Sequence, residues 1–261
     1  MKHKTLKNIL IGVVLVFMYL PIIVLVIYSF NTSRMNVIFE GFTFDWYKNL
    51  FHNRVLIEAF INTMIIAVAS TAISTIIGTL GAVGLYRHNF RFKSAINLLL
   101  YIPIIIPEIV LGISLLSVYT LTRLELGMFT LVLSHIAFSI PFVIVSVRST
   151  LSKTLDTYEE AAKDLGANSI NTFFKVTLPQ ITPGVVSGAT LAFTLSLDDV
   201  IISYFTAGPG SNTLPLQIYS MIKTGISPDV NALTTLMLLA TMTILITVTV
   251  VQGRKIVGGQ K

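Results

Sequence analysis

Long runs without a charged residue alternate with short polar connections along this chain, and the alternation predicts its architecture. A helix needs about 20 apolar residues to cross roughly 30 Å of hydrocarbon. Six runs meet that length, at residues 9–30, 59–85, 95–120, 127–147, 184–205 and 231–252. They predict an all-α polytopic membrane protein with six transmembrane helices, a single transmembrane domain over residues 1–261, and both termini on one side. The first run is too long for the core of a secretory signal and reads as a retained helix. Acids interrupt the pattern at Glu108, in the third run, and at Asp198 and Asp199, in the fifth.

Composition agrees. Apolar residues make up 54% of the chain and charged ones 11%, and the mean hydropathy is +0.82. A soluble domain carries about 25% charged residues, so that class is excluded. The net charge of +6 is sorted by side of the membrane rather than gathered into a nucleic-acid patch. Lys2, Lys4, Lys7, Arg87, Arg91, Lys93, Arg148, Lys153, Lys163, Lys175, Arg254, Lys255 and Lys261 fall on the terminal side, and Arg34, Lys48, Arg54, Arg123 and Lys223 on the other. Thirteen against five predicts cytoplasmic termini. Without cysteine there are no disulfides and no thiolate chemistry. No Gly-Lys-Ser/Thr phosphate loop occurs, so any ATP and Mg are expected on another chain.

Residues 148–183 make a long polar connection between two spans, and its centre is Asp156 to Pro179, DTYEEAAKDLGANSINTFFKVTLP. The stretch predicts helix, break, helix. Asp156 or Thr157 is expected to cap the first helix, with Glu159 or Glu160 three residues on completing the cap. Gly166 permits the left-handed conformation that ends a helix, Asn168 caps a second one, and Leu178-Pro179 is expected to stop it. Glu160-Ala161-Ala162, then Gly166, Val176 and Leu178-Pro179 at their spacings resemble the signature loop of the membrane subunits of binding-protein-dependent ABC importers, with Val176 where the family has Ile. That resemblance implies the type I importer (MetI-like) permease fold. It also implies a coupling helix, Tyr158, Glu159, Glu160, Ala161, Ala162, Asp164 and Gly166, that docks into a cleft of a separate ATPase subunit. The plain alternative is an amphipathic cytoplasmic hairpin in which alanine serves as a helix former.

An ionised acid near the bilayer centre costs about 2.5–3.5 kcal/mol on insertion scales, so each of the three needs a reason. Pro103 and Pro107 precede Glu108 and are expected to break or kink the third helix. Adjacent helical residues point about 100° apart, so Asp198 and Asp199 are expected to diverge, one toward a pathway and the other toward a neighbouring helix or a partner subunit. No Lys or Arg lies in these runs, which leaves the solute as the expected positive partner. At about 4 Å each carboxylate gains on the order of 4 kcal/mol against an amine before desolvation. Three such acids suit an extended di- or triamine. The alternative is that Thr194, Ser196 or Ser203 hydrogen-bond them and they only hold helices together.

SFNTSR, GFTFDWY, EAAKDLGA, FTLSLDDVIISYFTAGP and LPLQIYSMIKTGISPDVNAL together resemble the second permease subunit of bacterial spermidine/putrescine ABC importers. The resemblance implies a permease heterodimer with a sister subunit, two ATPase subunits and an extracytoplasmic polyamine-binding protein, assembled in the inner membrane. Asp198, Asp199, Glu108 and Ser196 are the candidate pathway residues. Trp46 and Tyr47 join them as aromatic rings able to guard an entrance or stack on a cation, against the alternative of an interfacial anchor.

The remaining features are structural. His135, the one histidine inside a run, reads as a hydrogen-bonded packing residue, with Pro141 expected to kink its helix. GTLGAVG, Gly78 to Gly84, permits close helix approach, and GPGSNTLPLQIYSM predicts a tight turn leading to a short surface helix. No nucleophile–base pair or metal cage is visible, so no enzymatic activity, cofactor or metal is expected in this chain. The rival readings are an importer for another cationic or metal-chelate solute, a stand-alone proton-coupled carrier, which usually shows an internal repeat absent here, and a membrane enzyme.

Overall fold

The computed structural model of the chain describes residues 2–33, 38–224 and 228–258. Arg34 of SFNTSR, residues 225–227 of the LPLQIYSM stretch, and Lys261 lie outside the described residues. Everything described is helix or connection: α1 (Lys2–Tyr28), α2 (Asp45–Leu50), α3 (Arg54–Arg87), α4 (Lys93–Ile105), α5 (Glu108–Leu121), α6 (Met128–Arg148), α7 (Lys153–Asp164), α8 (Ser169–Thr172), α9 (Leu178–Asp198), α10 (Ile201–Thr206), α11 (Leu214–Thr224) and α12 (Pro228–Gly258). One isolated bridge pairs Asn31 with Phe42. Within α1, Leu6–Tyr28 is long and apolar enough to cross a membrane, as are α3 and α6, and α4 with α5 supplies a fourth crossing if the bent pair is one span.

Two expected spans are broken. The axes of α4 and α5 meet at 113°. The cause is local: Ile106 precedes a proline, whose ring drives it out of the helical region to φ −74°, ψ 138°. Pro103, by contrast, sits inside α4, and α6 continues through Pro141. The fifth run is interrupted at Asp199, which is extended at φ −64°, ψ 127° and separates α9 from α10.

The hairpin also departs from expectation at both ends. Its first helix starts at Lys153 with Ser152 at the cap position, so Asp156 lies in the first turn and neither Asp156 nor Thr157 is the cap. Leu178-Pro179 does not stop the second helix. The chain passes from α8 through one π-turn, Phe173–Thr177, straight into α9, and Pro179 occupies the first turn of α9, where a missing N–H leaves nothing unsatisfied. Gly166 is left-handed at φ 85°, and Asn168 Oδ1 accepts from Asn171 N at 2.8 Å, both as expected.

The chain divides into two units, Met1–Ile57 with Gln217–Thr247, and Glu58–Leu216 with Val248–Lys261. In the second, α6 packs along α9 and α5 along α10. The α6–α9 seam is close because Gly184 and Gly188 have no side chain. A Cβ at Gly184 would lie 2.9 Å from Ser146 O, and one at Gly188 3.2 Å from Val143 Cα. Ser146 Oγ donates to Gly184 O at 3.0 Å across the same seam. Small residues four apart let helix backbones approach in this way. Gly78 and Gly81 do the same for α3 against Val143 and Ile144, and Ala82, Val83, Leu155 and Ile181 complete that core.

Candidate functional site

The fifth-run acids separate at the helix break. Asp199 is 7% exposed. Its carboxylate accepts from Ile202 N at 3.1 Å and from Ser203 N at 2.7 Å, capping α10 with two otherwise orphaned donors. His135 reaches in from α6 and bridges the break. Its Nδ1 is 2.7 Å from Ser196 Oγ on α9 and its Nε2 3.2 Å from Ser203 Oγ on α10. Nε2 also lies 3.5 Å from Asp199 Oδ2, and Ser70 Oγ donates to Ser196 Oγ at 3.2 Å. His135 is therefore hydrogen-bonded and packed, as its isolation in an apolar run suggested.

Asp198, the last residue of α9, is exposed, while Ser196 is 3% exposed and enclosed by its partners. Thr194 hydrogen-bonds Thr190 O at 2.9 Å and not an acid. Glu108 opens α5 and is exposed, within electrostatic reach of both aspartates. One turn further along α5, Gly112 admits α10: a Cβ there would come 2.6 Å from the Phe205 ring. The second unit thus gathers Glu108, Asp198 and Asp199 with two carboxylates outward and one inward.

Trp46 and Tyr47 belong to the first unit, where both polar atoms are occupied. Trp46 Nε1 donates to Asn31 O at 2.6 Å, and Tyr47 OH is 2.6 Å from Ser29 Oγ. Asn31 is the hub of this loop, donating to Ile38 O at 2.7 Å and accepting from Glu40 N at 2.9 Å. Phe30 stacks on Phe42 with centroids 5.0 Å apart and meets Tyr47 at 5.2 Å.

In the hairpin, α7 has two faces. Tyr158 is 50% exposed and Leu165 90%, and Glu160, Ala161, Asp164 and Gly166 are exposed with them. Leu155 and Glu159 face inward at 4% and 6%. Glu159 pairs with Arg87 at the end of α3 and accepts from Thr177 Oγ1. Tyr86 OH donates to Asp156 Oδ2 at 3.0 Å. Glu159 is thus an inward anchor, which corrects its place in the expected docking surface.

Residues 74–254 match the family described as the binding-protein-dependent transport system inner membrane component. The chain belongs to that family. It is 42% identical to the spermidine/putrescine transport system permease protein PotC of Haemophilus influenzae, over 94% of this chain and 96% of that one. Against PotC of Escherichia coli K12 the identity is 44%, over 88% and 87% of the two chains. The putrescine transport system permease protein PotI of the same organism is 38% identical over 85% and 82%. Among solved structures, a bacterial ABC transporter involved in import of the acidic polysaccharide alginate superposes with a TM-score of 0.70 at 18% identity, over 96% of this chain and 95% of that chain. The inward-facing MetNI methionine transporter gives 0.62 at 20% identity, over 76% and 94%. This inner-membrane transport component therefore has the ABC importer permease fold.

Sequence reasoning missed several residues of this permease. Arg87 counted only as a positive charge near a membrane boundary, and Tyr86 and Thr177 carried no signal. Their partners lie 72, 70 and 18 residues away, beyond any local pattern. Gly184 and Gly188, at small-xxx-small spacing inside a run, were a readable signal for the α6–α9 seam.

Proposed function

We propose that the chain is a permease subunit of an ATP-driven importer that carries polyamines, spermidine or putrescine or both, across a bacterial cytoplasmic membrane. The observation that carries this reading is the likeness, over nearly the whole chain, to spermidine/putrescine permeases. The acids supply a chemistry for it. Among the described residues, Asp198 and Glu108 present carboxylates with no Lys or Arg paired to them. An amine losing its water needs such a countercharge, and a sugar or an anion does not.

In this reading six crossings put both termini and the α7 hairpin in the cytoplasm. A sister permease completes the pathway, two ATPase subunits bind ATP and Mg, and a polyamine-binding protein delivers the solute outside. The outward face of α7, Tyr158, Glu160, Ala161 and Asp164, with Gly166 in the turn that follows, docks into the ATPase. ATP-driven closure there rocks the permease halves, and the amine passes Asp198 and Glu108 on its way inward. Asp199 and Ser196 hold the break that aims Asp198. Trp46 and Tyr47 spend their polar atoms on their own loop, and the Tyr47 ring packs on Phe30, so in this reading the Trp46 ring is the one that meets a cation at the entrance.

The test is uptake of labelled spermidine by the complete complex in proteoliposomes, with competition by putrescine, other amines and metal chelates. ATP-dependent uptake displaced by polyamines alone is expected. Displacement by a chelate would reassign the cargo. Uptake by this chain alone, driven by a pH gradient, would make it a proton-coupled carrier.

A further inference from the structure

Two consecutive residues close α3, and both are bonded to one face of α7. Tyr86 holds Asp156 at 3.0 Å, and Arg87 pairs with Glu159, one helical turn along the same face. The Arg87–Glu159 pair is part-buried: the Glu159 side chain is 8% exposed and that of Arg87 29%. Arg87 also donates to Thr177 Oγ1 at 2.7 Å. Thr177 is fully buried and closes the π-turn that leads into α9. A π-turn widens the helix by one residue per turn and re-aims the side chains beyond it; here the Thr177 hydroxyl bonds both the guanidinium and the carboxylate, which also bond each other. Three elements thus share one part-buried polar node: the end of a membrane-crossing helix, the inner face of the hairpin, and the root of α9.

We propose that Arg87, Glu159 and Thr177 form a pin that transmits displacement of α7 to α3 and α9 together, and that they are positioning residues for coupling rather than part of the ATPase-docking surface. The inference rests on the reading of α7 as the ATPase-facing helix. The outward and inward faces of α7 then have different tasks. One receives the push and the other passes it on. The pair suits the second task because parting Glu159 from Arg87 leaves its buried carboxylate uncompensated, so the joint resists opening. The parallel tie from Tyr86 to Asp156 stops α7 from pivoting about a single contact. Without the pin, α7 would slide under load while α3 and α9 stayed in place.

The test reads labelled spermidine taken up per ATP hydrolysed by the complete complex in proteoliposomes. Arg87→Glu and Glu159→Arg each lower that ratio about tenfold, a typical size for energetic coupling between sites, with the ATPase subunits still bound. The double exchange restores opposite charges and returns the ratio to within about threefold of the parent, as expected for residues that act as a pair. Thr177→Val removes one hydroxyl at nearly constant volume and lowers the ratio about twofold, which keeps the test open if the charge exchanges fail to assemble. An unchanged ratio in Arg87→Glu or Thr177→Val overturns the proposal. So does an assembled double exchange whose ratio stays low, or loss of the ATPase subunits in place of a lowered ratio. A parent complex that imports a different solute sinks the cargo assignment alone, and the same ratio is then read with that solute.

Discussion

In the hairpin and at the α9–α10 break the chain sets two acids side by side and buries one of each pair. Glu159 is inward and Glu160 outward; Asp199 is inward and Asp198 outward. The buried members are satisfied by different means. Glu159 meets a guanidinium, whereas Asp199 meets two backbone N–H groups with an imidazole beside it. Amide dipoles stabilise a carboxylate without adding net charge. On the proposed pathway, a permanent cation at Asp199 would also screen Asp198 and Glu108 and repel an incoming amine. At the hairpin no amine has to bind, and a full ion pair gives the stiffer joint. Glu159 and Asp199 hold the structure, whereas Glu160 and Asp198 stay exposed, where the proposed function gives them partners outside the chain.

The strongest way to break the comparison is at Asp198. Asp198→Asn is expected to lower initial spermidine uptake on the order of a hundredfold, since it removes an attraction that reaches about 4 kcal/mol before desolvation. The amount of subunit in the membrane should not change, and a matching loss of protein would make Asp198 structural. Next, Glu160→Lys reverses a charge on the outward face of α7 and should weaken ATPase binding about tenfold, measured by titrating the purified ATPase onto the permease. Melting of the solubilised permease should be unaffected. Asp199→Ala strips the cap from α10 and should cost about 1–2 kcal/mol of stability, with Asp199→Asn costing less because an amide oxygen still accepts; thermal inactivation of the complex ranks the three. Smallest, Gly166→Ala imposes a left-handed conformation on a residue with a side chain, about 1 kcal/mol, and should show as a modest loss of ATPase affinity.

Much of this was legible in the sequence because lipid imposes length. Charge-free runs overlap the helices α1, α3, α6 and α12, with ends that differ by up to seven residues, and Pro107 announced the α4–α5 break. Gly166 and Asn168 were read correctly because a left-handed turn and an N-cap are decided by a residue and its immediate neighbours. The failures fall where distant contacts outvote local signals. Pro179 was read as a stop because proline ends helices, yet it also starts them, and only the π-turn before it shows which applies here. Asp199 looked like one more helical position, since nothing in SLDDVIIS reveals that its carboxylate takes over the N–H groups of Ile202 and Ser203. Glu159 and Glu160 are indistinguishable by neighbourhood, and an arginine at the far end of another helix decides between them.

From Ser169 to Asp198 the chain is helical throughout, by way of α8, the π-turn and α9. The 21 residues of α9 alone make a rod of roughly 30 Å. Its near end is rooted beside the hairpin, its middle is clamped to α6 at Gly184 and Gly188, and its far end carries Asp198. Angular phase along such a rod is rigidly conserved. Adding or deleting one residue between Gly188 and Asp198 would swing the terminal carboxylate by about 100° around the axis while leaving hairpin and clamp untouched. The spacing of that segment, independent of its composition, therefore fixes the direction in which the acid points.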